Sequence, residues 1–206
     1  MEMPVSDRSA RPYLSVAERR EVLLDAAVAV LRNSGVEALS LRTVGERAGV
    51  AHRVVSYAFG SKAELVKALL VRETSSAVDA SWRAPLADPG FGASVEAALT
   101  AYAAVIREDP RLTESLAALT ASARMSPDLS GAVRSEAELA RDRIGALVTG
   151  WAAAHPDAGI DVDQAVTGIH AAAEGIAAWW LSTRDDDRLP DVVRTFSAGI
   201  AASATR

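Results

Sequence analysis

Apolar residues recur at intervals of three and four along almost the whole chain, the spacing of a buried helical face. Val22, Leu23, Ala26, Ala27, Val30 and Leu31 make the first such stripe. Ser15 and Glu18 stand ahead of it at capping-box spacing, where the serine oxygen accepts an amide proton and the glutamate reaches back. Gly35 is placed to end that helix, as glycine does where the chain turns left-handed. A shorter stripe, Leu41, Val44 and Ala48, starts at Ser40 and stops at Gly49. A third segment, 51–59, offers Val54, Val55 and Phe59 for burial, with Val50 just ahead of it, and breaks at Gly60. Ser61 and Glu64 repeat the capping spacing, and Leu65, Ala68, Leu69 and Arg72 carry a long helix toward Trp82.

Beyond a turn-rich stretch at 84–90, further helices are predicted at about 91–108, 111–123, 128–154, 161–184 and 188–203. Asp109 and Pro110, Ser126 and Pro127, His155 and Pro156, and Leu189 and Pro190 punctuate them. No segment alternates with a period of two, so no strand is expected. The prediction is an all-α protein of about nine helices. Residues 1–14, polar and arginine-bearing, read as a flexible arm. Residues 15–61 form a three-helix unit, and 62–206 form a helical body.

Composition narrows the class. The 206 residues are 50% hydrophobic and 24% charged, average for a soluble globular domain. The absence of cysteine removes disulfides, thiolate metal sites and cysteine nucleophiles. No apolar run approaches 18 residues and the first ten residues lack an apolar core, so neither a membrane span nor a signal peptide is expected. The expected location is the cytoplasm. The net charge of −5 hides an asymmetry: residues 1–72 carry 11 Lys+Arg against 8 Asp+Glu, and residues 73–206 carry 11 against 19. A basic head on an acidic body directs an anionic partner to the head.

The front three helices satisfy the needs of a helix-turn-helix, in which one helix braces on the DNA backbone and the next enters the major groove. Gly49 supplies the turn. His52, Arg53, Ser56 and Tyr57 fall on neighbouring turns of the third helix, away from its apolar side. Arginine reads guanine bidentately, and histidine or serine reaches a base edge or phosphate. The tyrosine hydroxyl suits a phosphate oxygen. Ser61 and Lys62, and likewise Ser40, Arg42 and Thr43, sit at helix starts, where unpaired amides favour phosphate.

These residues resemble a known family. Leu41-Arg-Thr-Val-Gly-Glu-Arg-Ala-Gly-Val50, followed by Val55-Ser-Tyr-Ala-Phe-Gly-Ser-Lys62 and Ala63-Glu-Leu65, is similar to the DNA-binding signature of TetR-type transcriptional regulators. The resemblance covers roughly residues 18–70. It implies DNA contacts from Arg42, Thr43, His52, Arg53, Tyr57 and Lys62. The chain departs from the pattern at Gly45, Ala51, Arg53, Val54 and Ala58. Ala51 replaces the usual serine or threonine cap, a local loss of about 1 kcal/mol.

For the body, the resemblance implies a ligand-binding and dimerisation domain whose last two helices pair with those of a second copy. Residues 165–181 are rich in small side chains, and the final helix carries a matching apolar stripe. The interface candidates are Ile169, Ala173, Ile176 and Trp180, with Val192, Val193, Phe196 and Ile200; burial within one chain is the competing reading. Pocket candidates are the aromatic, polar and large apolar groups of the body. They are Trp82, Tyr102, Ile106, Leu116, Leu119 and Met125, then Leu147, Trp151, His170, Glu174 and Trp179. Glu174 on an otherwise apolar helix must face solvent, an arginine or a ligand. The acids 185–187 read as a solvated loop patch. Scattered histidines and the absence of a phosphate loop or hydrolase serine argue against an enzyme, and Glu136 and Glu138 point to different helix faces. No cofactor or metal is expected. The expectation is a homodimeric repressor of a palindromic site on double-stranded DNA, released by an apolar or amphipathic small molecule. The alternative is a helical interaction protein that keeps the helix-turn-helix fold without binding DNA.

Overall fold

The computed structural model describes residues 15–82 and 90–205. The arm expected at 1–14 and most of the turn expected at 84–90 lie outside them. Among the described residues nine α-helices follow one another: α1 (Val16–Ser34), α2 (Leu41–Ala48), α3 (His52–Phe59), α4 (Lys62–Ser81), α5 (Phe91–Glu108), α6 (Pro110–Met125), α7 (Ser130–Ala154), α8 (Val162–Thr183) and α9 (Leu189–Ala204). Extended pairing there is limited to an isolated bridge between Ile160 and Thr205.

Helix starts are set by side chains, as their spacing requires. Ser15 Oγ accepts the Glu18 amide at 3.2 Å while the Glu18 carboxylate accepts the Ser15 amide at 2.8 Å. Ser40 closes an equivalent box with Thr43 in place of an acid. Ser61, Asp109 and Asp161 cap α4, α6 and α8 by accepting the amide three residues on. Gly49, at φ 69° and ψ 30°, makes the left-handed turn between α2 and α3.

Two apolar clusters hold the chain together. The first joins Leu23 and Leu31 of α1, Val44 of α2, Val55 of α3 and Leu65 and Leu69 of α4, all essentially inaccessible. It also takes in Leu119 and Ala123 of α6 and Ala132 and Val133 of α7, so the front helices rest on segments from the middle of the chain. The second cluster surrounds Val95, Val148, Trp151, Ile169, Ile176 and Trp180. Helix α4 reaches both, with Leu65, Val66, Leu69 and Leu70 in the first and Val78 and the C-capping Trp82 at the second, and it lies along α7. Each buried leucine or valine contributes roughly 1.5–3 kcal/mol.

Close helix approach in the body depends on glycine. A Cβ on Gly168 would sit 3.0 Å from Ile200 Cγ1, and one on Gly175 would sit 3.2 Å from Phe196 Cζ. The small residues of α8 thus let α9 of the same chain approach. One acid of the 185–187 loop is not simply solvated: Asp186 accepts Trp180 Nε1 at 2.9 Å and pairs with Arg107 of α5 at 2.9 Å. It ties the end of α8 to α5.

Candidate nucleic-acid interface and effector cavity

Helix α3 buries Val55 and Phe59 completely and Val54 in part, whereas Val50, expected inside, stays 37% exposed in the turn. The opposite side carries His52, Arg53 and Tyr57, all exposed, and Tyr57 is 88% exposed. Ser56 is half-buried, with its hydroxyl 3.4 Å from the His52 ring one turn earlier. Lys62 is exposed in the first turn of α4. Five groups with hydrogen-bonding or positive character therefore share the outer surface around α3.

The α3 helix is fixed from behind by a residue that pattern reading did not single out. Arg20 of α1 donates to the Ala58 carbonyl, and its guanidinium lies 4.5 Å from the Phe59 ring centroid. That bond spans 38 residues, and nothing local in the sequence signals it. The start of α3 is open: Ala51 makes no side-chain cap.

The other expected contacts have prior commitments. Thr43 Oγ1 donates to the Ala38 carbonyl at 2.6 Å and accepts the Ser40 amide at 3.0 Å; Ser40 Oγ accepts the Thr43 amide. Both residues are half-buried and hold the start of α2. Ser61 Oγ is occupied by the Glu64 amide. Arg42 is exposed and pairs with Glu46 at 2.9 Å, a contact that exposed partners exchange readily.

In the body, α4, α5, α6, α7 and α8 enclose a cavity of about 570 Å³. Six of the expected residues line it: Trp82, Tyr102, Ile106, Leu116, His170 and Glu174. The others lie elsewhere. Leu119 is buried in the front cluster, because α6 turns that face toward α1. Met125, at the end of α6, is 86% exposed. Trp151 is buried, stacked at 4.1 Å on His155 and 5.1 Å from Phe91. Leu147 and Trp179 pack against the body core.

The polar wall was mostly unforeseen. Thr74 of α4 donates to Glu136 of α7 at 2.6 Å, and both face the cavity. Arg124 reaches Glu174 at 3.4 Å. Desolvation raises the Tyr102 phenol pKa, and the negative charges of Glu174 and Glu136 raise it further, so the hydroxyl stays protonated near neutral pH. These groups come from five helices, and only three-dimensional closure brings them together.

Two cavity-wall acids also reach the front of the molecule. Glu73 accepts Arg72 Nε at 2.9 Å and Nη2 at 2.8 Å, and Arg72 Nη1 donates to Asp25 of α1 at 2.8 Å and lies 3.5 Å from Glu21. Burial alone would lower the Arg72 pKa; the bonds to Glu73 and Asp25 outweigh it, so the charge is retained. Asp109 pairs with Arg32 of α1 at 2.6 Å while capping α6.

The interface candidates divide. Ile169, Ile176, Trp180, Val193 and Ile200 are buried inside the chain, and Ala173 faces the cavity. Val192 is half-buried and Phe196 is 38% exposed. The uncovered side of the antiparallel α8–α9 pair shares Phe196 with those candidates but is otherwise made of other residues. It carries Thr167, Ala171 and Ser182 on α8 and Thr195, Phe196, Gly199 and Ala202 on α9, all exposed and uncharged.

Known proteins share this arrangement. Residues 23–69 match the domain described as bacterial regulatory proteins, tetR family. Over 75 residues the chain is 39% identical to the HTH-type nicotine-responsive transcriptional repressor HdnoR of Paenarthrobacter nicotinovorans, covering 33% of this chain and 39% of that protein. Over 101 residues it is 34% identical to the HTH-type transcriptional repressor KstR of Rhodococcus jostii, covering 48% and 46%. The match thus spans less than half of either relative. The fold is similar over nearly the whole length to a TetR transcription regulator from Haloarcula marismortui (TM-score 0.68, 17% identity, 92% of this chain and 100% of that one). It is also similar to the Bacillus subtilis regulator FadR in complex with stearoyl-CoA (TM-score 0.67, 14% identity, 89% and 98%). The helix-turn-helix at the front thus carries the DNA-binding domain of the bacterial tetR-family regulators, and the nine-helix architecture behind it is the fold of TetR-type regulators.

Proposed function

We propose that this chain is a DNA-binding repressor that grips a palindromic operator as a homodimer and lets go when a small molecule enters the cavity of the body. The observation that carries the reading is the outer surface of α3: His52, Arg53 and Tyr57 are exposed beside Lys62, and none of the four pairs with an oppositely charged side chain among the described residues. Residues 15–61 are the DNA-binding head and 62–206 the sensing and pairing body. Tyr57 and Lys62 hold phosphates, and Arg53 and His52 address base edges. Arg42 joins them by leaving Glu46, an exchange of one exposed partner for a phosphate.

A single short helix gives little affinity, so a second copy is needed. Two recognition helices spaced about one helical turn of DNA, roughly 34 Å, read two half-sites. The uncharged α8–α9 side suits the pairing, because small side chains let two such helix pairs close on each other without burying charge. Two relatives are named as repressors, one of them nicotine-responsive, and a protein of the same fold holds stearoyl-CoA. Those names support a ligand-responsive reading here.

The route from cavity to head is Arg72. Glu73 forms part of the cavity wall, and the same guanidinium that binds it also binds Asp25 on α1. A ligand that displaces Glu73 loosens the hold on α1 and changes the spacing of the two α3 helices. It shifts the equilibrium only by as much as it prefers the released state.

The test is a mobility shift with the full chain and the DNA flanking its own coding region, at several salt concentrations. A shifted band whose affinity falls steeply with salt is expected, since phosphate contacts release counterions. No shift at low salt would sink the reading and leave the helical interaction protein in its place.

A further inference from the structure

We propose that the cavity takes an amphipathic organic monocation, a protonated amine on an apolar body, with Glu136 as the carboxylate that meets the ammonium group. The inference rests on the reading of the cavity as the effector site and names the chemistry of what enters it.

The wall is acidic. Glu73, Glu108, Asp109, Glu136 and Glu174 line it against Arg124 as the one lysine or arginine among the described lining residues. Most of these acids are already satisfied or outlying. Arg72 holds Glu73, Arg32 holds Asp109, Arg124 reaches Glu174, and Glu108 is exposed. Glu136 differs. It is half-buried, it accepts the Thr74 hydroxyl, and among the described residues no cationic side chain pairs with it. An ionised carboxylate has about four acceptor positions. The single Thr74 hydroxyl leaves most of them open toward the cavity.

Tyr102 is the second, independent pointer. Its ring lines the cavity, and its hydroxyl makes no hydrogen bond to any described residue. Desolvation is the main influence on that hydroxyl, and the fields of Glu174 and Glu136 both reach it. A half-buried phenol on the cavity wall, with no hydrogen-bond partner among the described residues, can accept an ammonium N–H. The ring faces of Tyr102 and Trp82 add the attraction that aromatic quadrupoles have for cations. Leu70, Val78, Leu99, Ile106, Leu116 and Ile144 supply the apolar remainder. A volume of about 570 Å³ suits a molecule of drug size.

An anionic ligand meets the opposite conditions. Its carboxylate or phosphate would face the excess of acids, with only Arg124 to pair it, and Arg124 is drawn to Glu174. The stearoyl-CoA bound by the fold relative is therefore the wrong class for this wall.

The test titrates the full chain near neutral pH with decylamine, decanol and decanoate, all below their micelle concentrations. Tryptophan fluorescence, with Trp82 on the wall, and thermal melting report binding. Decylamine is expected to bind about tenfold tighter than decanol, and decanoate weaker than both. Glu136→Gln keeps the shape and an acceptor for Thr74 but removes the charge. It is expected to bring decylamine down to the level of decanol while decanol itself is unchanged. Decanoate binding as tightly as decylamine, no binding of decylamine up to its solubility limit, or an amine preference that survives in folded E136Q would overturn the proposal. Should E136Q fail to fold, the ranking of the three ligands on the natural chain still decides, and Tyr102→Phe must reduce the amine preference. Mobility shifts run in parallel keep the two readings apart. Amine binding without DNA release sinks the effector reading but leaves the ligand class intact, whereas the reversed ranking sinks the ligand class alone.

Discussion

The front and the body of this molecule turn their polar groups in opposite directions. Around α3 the exposed groups, His52, Arg53, Tyr57 and Lys62, point away from the chain, and the hydroxyls of Ser40, Thr43 and Ser61 are spent on caps. In the body, Thr74, Tyr102, Glu136 and His170 face inward on a cavity. The first arrangement needs only local geometry: two capped helices, one left-handed glycine and an apolar backing. The second requires five helices to close around a space. That difference accounts for the comparisons. The family match ends at residue 69, while the fold likeness runs on over about nine-tenths of the chain at under 25% identity. A convex reading surface constrains its residues individually; a cavity wall constrains only the helices that build it.

The sharpest way to break the comparison is to separate the two copies of the proposed dimer. Ala171 is exposed on α8, so an arginine there can extend into solvent in a single chain. Ala171→Arg is expected to yield a folded monomer by light scattering. Because the second half-site contact is lost, operator affinity is expected to fall about 100-fold or more. A dimer that persists with full affinity would move the interface elsewhere.

Next come the groups of the outer surface. Tyr57→Ala and Lys62→Ala are expected to weaken binding to every operator variant, by about tenfold each, and K62A to lower the salt slope by about one. Arg53→Ala is expected to cost about 1–3 kcal/mol on the natural operator and much less on variants altered at one base pair. Mobility shifts over an operator series distinguish these patterns. Equal loss for R53A on every variant would reduce Arg53 to a phosphate contact.

A subtler change addresses the link between the two regions. Arg72→Met preserves most of the side-chain volume on α4 but removes the bonds to Glu73, Asp25 and Glu21. Ligand affinity is expected to change by about twofold, the scale of one partly exposed ion pair. DNA release by the ligand is expected to be lost. Fluorescence titration and mobility shift on the same sample check both halves. Normal release in R72M would move the coupling to the other connection, Arg32 with Asp109.

What the sequence disclosed follows the same division. Helix starts, the glycine turns and the inner and outer sides of α3 are local properties, and periodicity with cap chemistry predicts them well. The body is legible as helices but not as faces. Periodicity groups Ile169, Ile176 and Trp180 on one side of α8 and Val193 and Ile200 on one side of α9. It does not say whether a second copy or the same chain covers them, and here the same chain does. Leu119 shows the same limit, since its stripe is apolar whichever helix it meets. Glu136 reads as one surface acid among several until Thr74, 62 residues away, closes on it. Arg20 is invisible as the clamp on α3 for the same reason.

The smallest effect concerns the one helix of the front unit that begins without a side-chain cap. Ala51 stands at φ −65° and ψ 144°, the extended conformation of a capping residue, with its side chain exposed. Ser15, Ser40 and Ser61 take up the amide three residues on, and Ala51 has no oxygen to do so. The backbone is already in place, so a serine adds one hydrogen bond without moving the helix. Ala51→Ser is therefore expected to stabilise the chain by about 0.5–1 kcal/mol. For a chain of this length that raises the melting temperature by roughly 1–4 °C. The added oxygen lies at the start of α3, beside His52 and not on the side of Tyr57, so operator affinity is expected to stay within about twofold. A higher melting temperature with a large loss of DNA binding would mean that the open amides at this helix start hold a phosphate themselves. The missing cap would then belong to the reading surface, and the division between spent and free polar groups would extend to the backbone.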